Sequence, residues 1–434
     1  MASEPTFPQL TEDTLERARR TISTEEKGRP PGFSLLTEDV IRRWAYMLGD
    51  ANPLWLDADY AAKTRWGAIV APPTLAETAV RGTLIDPLRI AREGAIRPKP
   101  RPAGERPKGG SQGGGLPGLA TLQVGRQIWF YEPVLAGEEV RGTQRVIAIV
   151  DSEGRRDGDC IEDDCDVESA MVAGRKECAW PSTRFCIQTF EHKVYSKKTG
   201  KLLMKTYRHE GRFPRGIPME ISKYRDLPDP LWTDEALGEI LDVHEREFLR
   251  GAQELFVEDV RVGDKLPTIV KGPHTPNDYI LYAGAFGGWF DVADRIKYMM
   301  LSKFPAAGVT DPRTNVPDFP NMMHLDSFSS SSMGYPRGFD GSMQRISWFG
   351  HLVTNWMGDN AFLTSLAVLH DRPLFLYDAM WLDGTVSAVH PESGVVDITL
   401  HGRNQRGETV SNGSATVVLQ SRSGTPAAFP ASYA

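Results

Sequence analysis

The sequence predicts an α+β protein made of two like units, each a long helix lying against an antiparallel sheet. Three observations predict it. The chain has 434 residues, and at about 100–200 residues per domain this fits two or three domains or one fold duplicated. A block of helix, irregular stretch, helix and strand-like runs occurs twice in the same order. Within each block the strand-like runs follow one another as a meander, which builds an antiparallel sheet beside a helix.

The elements follow in order. Residues 1–35 are a polar extension containing Gly28-Arg29-Pro30-Pro31-Gly32. Thr37-Glu38-Asp39 has the cap residue and first-turn acids of a helix start, and Ile41, Trp44, Ala45 and Leu48 follow at helical spacing until Gly49. An irregular stretch from Asp50 to Arg65 leads to Trp66-Gly67-Ala68-Ile69-Val70-Ala71-Pro72-Pro73-Thr74, where a second helix starts and runs to about Arg92. Residues 97–118 are rich in Pro, Gly, Lys and Arg, the composition of a mobile loop. Strand-like runs follow at Ala120–Val124, Gln127–Tyr131, Glu139–Ile149, Thr183–Tyr195 and Leu202–Arg212, interrupted by an acidic insertion, Asp151–Glu177.

The second block opens with Phe256–Val262 and an extended Ile269–His274. Thr275-Pro276 is a cap followed by proline at the first helical position, and the helix carries Tyr279, Ile280, Tyr282, Ala283 and Phe286. A long irregular region contains an apparent insertion, Trp289–Pro317. A central helix then runs from Gly341-Ser342-Met343 to about Gly358. Strands are expected at Arg372–Trp381, Thr385–Val389, Gly394–Gly402 and Glu408–Gln420. The tyrosine and glycine of Tyr131-Glu132…Gly137 echo Tyr377-Asp378…Gly384. The expected organisation is an extension (1–35), a first unit (36–225), a linker (226–254), a second unit (255–422) and a tail (423–434).

Composition excludes several classes of function. Lys+Arg is 50 against Asp+Glu 57, a net charge of −7, which opposes generic nucleic-acid binding. No apolar run approaches the length of about 18 residues that spans a membrane. Met1-Ala-Ser-Glu-Pro lacks the basic and apolar regions of a signal peptide, so the expected location is cytoplasmic. Cys160, Cys165, Cys178 and Cys186 contain no C-x-x-C half-site and read as reduced thiols rather than zinc ligands. No metal or cofactor is expected. HExxH and P-loop motifs are absent.

Gly49-Asp50-Ala51-Asn52-Pro53-Leu54-Trp55-Leu56-Asp57, then Tyr60-Ala61, Trp66-Gly67 and Ala71-Pro72-Pro73-Thr74, resembles the MaoC-like dehydratases. That family includes the (R)-specific enoyl-CoA hydratases and the dehydratase region of fungal-type fatty acid synthase, and its pattern reads G-D-x-N-P-hydrophobic-H-x-D. The resemblance covers about residues 36–215 and more faintly 255–422. It implies a tandem hot-dog fold, with each central helix wrapped by a curved antiparallel sheet. It also implies an acyl thioester as partner, carried on CoA or on a protein, and a homodimer of the double unit.

The departure lies at Trp55, where the family has its histidine. Indole cannot exchange a proton at neutral pH, so the first unit is expected to shape an acyl pocket through Trp55 and Trp66, with Asp50 anchoring the loop. In the second unit Asp318-Phe319-Pro320-Asn321-Met322-Met323-His324-Leu325-Asp326 resembles the same pattern with one extra residue. Gly334-Tyr335-Pro336-Arg337-Gly338-Phe339-Asp340-Gly341 then resembles the family's lead into the central helix.

The resemblance makes His324 and Asp318 the acid–base pair, with Asp326 as the substitute carboxylate and Asn321 orienting the pair. Gly341 and Ser342 become the backbone oxyanion donors, and Tyr335 a pocket residue. Neutral imidazole can accept a proton near pH 7. A helix start offers unpaired N–H groups to a developing enolate. Ser327–Ser332 reads as a lid or an ordinary loop. His192 and His209 fall on strands, His351 on the central helix, and His370, His390 and His401 at strand ends. Three functions are open at this level: a hydro-lyase acting on 2-enoyl thioesters, a catalytically silent acyl-thioester binder, and a thioesterase using Glu77 or Asp340.

Overall fold

The computed structural model describes residues 10–80, 92, 116, 119–153, 156–158, 184–214, 222–287, 292–303, 308–311, 313–331 and 333–424. The loop at 97–118 lies almost wholly outside these residues. So do most of the acidic insertion, Cys160, Cys165 and Cys178, part of the 289–317 insertion and, Arg92 apart, the far end of the first central helix.

The flanking helices form where their caps and apolar spacing place them. In α1 (Glu38–Leu48) the Thr37 side chain accepts from Val40 N–H, the chain leaves through left-handed Gly49 (φ 65°), and Ile41, Trp44, Ala45 and Leu48 are buried. In α2 (Pro276–Phe286) the Asp278 carboxylate accepts from Thr275 N–H at 2.7 Å and the helix ends at Gly287, φ 62°. The two helices pack together, with the Trp44 and Phe286 rings 5.9 Å apart.

Ten strands form the main path of one sheet. They are β1 (Lys27–Arg29), β2 (Leu119–Phe130), β3 (Glu138–Asp151), β4 (Cys186–Ser196), β5 (Leu202–Pro214), β6 (Lys265–Lys271), β7 (Phe362–His370), β8 (Met380–His390), β9 (Val395–Asn404) and β10 (Thr409–Val418). Their order is β1-β3-β4-β5-β2-β7-β10-β9-β8-β6, and every neighbouring pair is antiparallel. Read outward from the middle, each half repeats the other. The halves join where β2 pairs with β7, Ile128 opposite Leu366 and Gln127 opposite Ala367. The sheet therefore runs on from one unit into the next.

This is the tandem hot-dog arrangement. The central helix of the second half, α3 (Ser342–Met357), is buried at every position from Met343 to Met357. The first half's counterpart begins with a 3-10 helix, Pro73–Val80, also buried from Thr74 onward. The stretch between the units carries one further helix, Asp234–Glu245, capped by Thr233. Among the described residues no helix is long and apolar enough to cross a membrane.

One expected strand is corrected. Residues 372–379 form a turn, and the strand lies before it, as β7. Leu374, Phe375 and Leu376 are apolar because this turn folds onto the lead into α3, not because they lie in the sheet. Phe375 bridges Phe339, and Leu376 N–H donates to Gly338 C=O at 2.8 Å. Buried Asp378 braces the turn by accepting from Arg406 Nη1 and Nη2, each at 2.8 Å. Tyr377 takes a left-handed φ of 71°.

Candidate active site

Backbone hydrogen bonds set the two halves in register. Ala71 N–H donates to Val134 C=O at 2.8 Å, and Asp340 N–H to Leu374 C=O at 3.0 Å. Ala136 N–H donates to Ile69 C=O as Leu376 N–H does to Gly338 C=O. Val70 bridges Leu135 as Phe339 bridges Phe375. This places Gly137 opposite Tyr377, which replaces the tyrosine-to-glycine match read from the sequence.

Counting back from Ala71 and Asp340 puts Asp57 opposite Asp326, and a shared cap confirms the count. Asp57 Oδ1 accepts from Tyr60 N–H at 3.0 Å, and Asp326 Oδ1 from Ser329 N–H at 2.7 Å. Trp55 then stands opposite His324, Asn52 opposite Asn321, Trp66 opposite Tyr335, and Asp50 opposite Phe319. The first half therefore has Asp50 and Trp55 at the two places where the second has Phe319 and His324.

Asp318, expected beside His324, lies one residue before the aspartate position. It accepts from Phe319 N–H at 2.8 Å and faces Lys297 Nζ at 3.6 Å. The chain's extra residue turned it out of register, and Phe319, 3% exposed, took the inward place. Asp326 is committed to Ser329 through both oxygens. The stretch expected as a lid or an ordinary loop is in part a short helix, Ser327–Ser331, with Ser330 buried.

His324 is half-buried at the end of a 3-10 turn, Pro320–His324. Its ring stacks on Tyr279 (centroids 4.4 Å, planes 14° apart) and leans on Phe339 at 4.5 Å. Nδ1 lies 2.8 Å from Phe339 C=O. A carbonyl only accepts, so Nδ1 holds the proton and the neutral ring carries its lone pair on Nε2. Burial pushes the His324 pKa down to about 4, against the Asp340 charge and the Phe339 bond. A second histidine, His274, is 1% exposed, and burial also lowers its pKa. Between about pH 6.5 and 4 the unfolded chain therefore binds more protons than the folded one. The histidine contribution to stability should fall as pH drops through that window and level off below it. Urea midpoints at pH 7, 5.5 and 4 measure this, with His324→Gln expected to flatten the slope.

Gly341 and Ser342 stand at the start of α3 as expected, but their parts differ. Gly341 N–H already donates to Gln344 Oε1 at 3.3 Å. A Cβ at Gly341 would lie 2.5 Å from Tyr282 Cε1, so glycine is needed for packing there. Ser342, at the first helical position, keeps an N–H with no intrahelical acceptor. Asp340 is held by Arg345, whose Nε donates to Oδ2 at 2.7 Å and whose Nη2 donates to Oδ1. Glu77 accepts from Arg126 and from Thr206 Oγ1 at 3.1 Å, with His192 Nδ1 at 3.2 Å. Neither carboxylate is free to attack a thioester.

In the first half, Trp55 and Trp66 do line a cavity. Leu54, Val70, Pro73, Ala76, Phe130 and Met204 form its first-half wall, and Thr354, Met357, Asp359 and Phe362 close it from the second. Tyr335 is placed elsewhere, in an aromatic cluster with Tyr224, Phe339 and Phe375 at 5.2–5.7 Å. Asp50 ties the loop beside the cavity. Oδ1 accepts from Asn52 N–H at 2.9 Å and Oδ2 from Trp55 Nε1 at 2.8 Å. An asparagine amide in its place has one oxygen for these two donors, so Asp50→Asn should cost about 1–3 kcal/mol by urea denaturation while turnover persists.

The seam between the halves holds a network that the sequence did not reveal. Buried Lys271 Nζ donates to Leu48 C=O at 2.7 Å and lies 2.8 Å from His351 Nδ1, while His351 Nε2 meets Glu247 Oε1 at 3.1 Å.

Residues 31–167 match the model of the FAS1-like dehydratase domain region. A solved structure named MaoC-like dehydratase aligns over 93% of this chain and 99% of its own, at 14% identity and TM-score 0.56. The chain has the MaoC-like double hot-dog fold. A MaoC-like dehydratase from Phytophthora capsici covers 94% of this chain and 99% of its own at 10% identity and TM-score 0.49. A Mycobacterium tuberculosis protein described as having a double hotdog fold covers 91% and 96% at 11% identity and TM-score 0.48. No curated protein matches the chain at a significant level. Within this MaoC-like fold, the part that matches the dehydratase model holds Asp50 and Trp55, while His324 lies outside it.

Proposed function

We propose that the protein is a hydro-lyase that reversibly adds water to a 2-enoyl thioester, with the second half as the working site. The observation that carries this is His324. It occupies the family's histidine position, its Nδ1 proton is fixed by Phe339 C=O, and its Nε2 lone pair is available across the physiological range. Nε2 takes the proton of the attacking water, and the resulting imidazolium returns a proton to the α-carbon. One group serves both transfers because Asp318 is engaged with Lys297. Ser342 N–H at the α3 start meets the enolate oxygen. Asn321 keeps the loop position that Asn52 holds in the first half. The cavity around Trp55 and Trp66 adjoins the other end of α3, at Thr354 and Met357, and belongs to the first half rather than to this site. CoA or a carrier protein supplies the thiol, no cofactor enters the reaction, and two copies of the chain associate in a soluble, cytoplasmic enzyme.

Loss of the conjugated-thioester absorbance of crotonyl-CoA and of longer enoyl-CoAs, with free thiol followed separately, tests the reading. Consumption of the enoyl group with formation of the 3-hydroxyacyl thioester is the expected result. A second reading, a silent acyl-thioester binder, is favoured by Phe319 in the aspartate position. It predicts binding of enoyl-CoA in calorimetry with no change in absorbance.

A further inference from the structure

The cavity wall of the first half has a counterpart in the second. Pro133 stands opposite Pro373 in the register above, so Phe130 is matched by His370, Pro73 by Ser342 and Ala76 by Arg345. Three apolar wall residues become a hydroxyl, an imidazole and a guanidinium. These groups are joined. Ser342 Oγ lies 2.7 Å from His370 Nε2, and His370 Nδ1 lies 3.2 Å from Ser411 Oγ. Ser411 Oγ accepts from Arg345 Nη1 at 3.1 Å, and Arg345 is clamped by Asp340. His370 is 7% exposed, while Ser342 stays half-open.

We propose that Ser342 and His370 are a nucleophile–base pair that accepts the acyl group of a thioester and passes it to water. The proposal rests on the reading that an acyl thioester binds at the start of α3. It does not require His324. A nucleophilic serine needs a base within hydrogen-bond reach and a third group to orient that base. His370 and Ser411 fill these places. The pair uses the tautomer in which Nδ1–H donates to Ser411 Oγ, which also accepts from Arg345 Nη1, and Nε2 accepts the serine proton. The carbonyl oxygen of the tetrahedral adduct meets the unpaired N–H groups of the first helical turn.

The steps balance. Ser342 Oγ bonds to the thioester carbon as its proton passes to His370 Nε2. The C–S bond breaks and the thiolate leaves with that proton as a thiol. Water then adds to the serine ester and gives a proton to His370. The ester C–O bond breaks, Oγ recovers the proton, and a free acid departs.

Butyryl-CoA tests this, because a saturated acyl group cannot be hydrated. The full chain is mixed with butyryl-CoA, free thiol is followed with a disulfide reagent, and the quenched protein is weighed and peptide-mapped. The expected result is thiol release with a butyryl adduct on Ser342. Ser342→Ala and His370→Asn should each lower release by about 10²–10³-fold. Phenylmethylsulfonyl fluoride on the unaltered protein gives a readout independent of any variant's folding, and Ser342 should be the labelled residue. An unlabelled Ser342 with no butyryl adduct, while crotonyl-CoA is still hydrated, overturns the pair and leaves the hydratase reading standing. Absence of labelling, thiol release and hydration, with no butyryl-CoA binding in calorimetry, overturns both.

Discussion

Replacing His324 with alanine is expected to lower kcat for crotonyl-CoA hydration by about 10²–10⁴-fold, with KM changed little. The variant removes the group whose Nε2 takes the water proton, while the thioester contacts at the start of α3 remain. A loss confined to kcat is the signature of an interaction made only in the transition state. His324→Gln is the companion variant. Its amide N–H can still meet Phe339 C=O, which preserves the loop, but it cannot accept a proton as imidazole does. Equal losses in the two variants assign the effect to proton transfer. Recovery in the glutamine variant assigns His324 a packing role against Tyr279 and Phe339. Near-normal hydration in both leaves the silent-binder reading.

The largest expected effect on stability comes from Arg345. Its side chain and that of Asp340 are 3% and 1% exposed. The guanidinium also donates to Arg372 C=O at 2.8 Å and to Ser411 Oγ at 3.1 Å. Arg345→Met leaves a buried carboxylate without its countercharge, which costs about 3–5 kcal/mol. Removing both charges in Arg345→Met/Asp340→Leu should recover much of this, because the penalty belongs to the orphaned charge and not to the absent pair. The orphan left by Asp340→Leu alone is a buried cation that still has its carbonyl acceptors, so its cost should be smaller. Urea unfolding of the four proteins gives the coupling energy. Additive effects would show that the pair does not act as a unit.

Local signals in the sequence located most of the elements. Thr37 and Thr275 marked helix starts, Gly49 a helix end, and period-two runs the strands β2–β5 and β8–β10. Each of these depends on neighbours within a few residues, where propensity and capping act. β7 was missed because Phe362-Leu-Thr-Ser-Leu-Ala-Val-Leu-His follows the central helix with only the short Gly358–Ala361 turn between. Its identity as a strand comes from β2 and β10 on either side. The turn after it was read as a strand because Leu374–Leu376 is apolar, and a sequence does not say which element will bury a run. At the site, His324 was legible from its motif. Asp318 departs from its expected place because a one-residue register shift changes which side chain faces inward, and that register is set by the backbone bonds of the second half.

The sequence by itself determined the duplicated order, the helix limits, the missing histidine at Trp55 and the candidate at His324. These are properties of residue type and short spacing. The tertiary structure alone decided that Trp55 and His324 hold equivalent places in the two halves, that Gly341 N–H is already taken by Gln344, and that Ser342 faces His370. It also decided that Lys271 reaches across to Leu48 and that β2 and β7 fuse two sheets. The physical reason is common to all of them. Each depends on groups far apart in the chain meeting at hydrogen-bond distance, and that distance is fixed by how two buried helices and one continuous sheet pack.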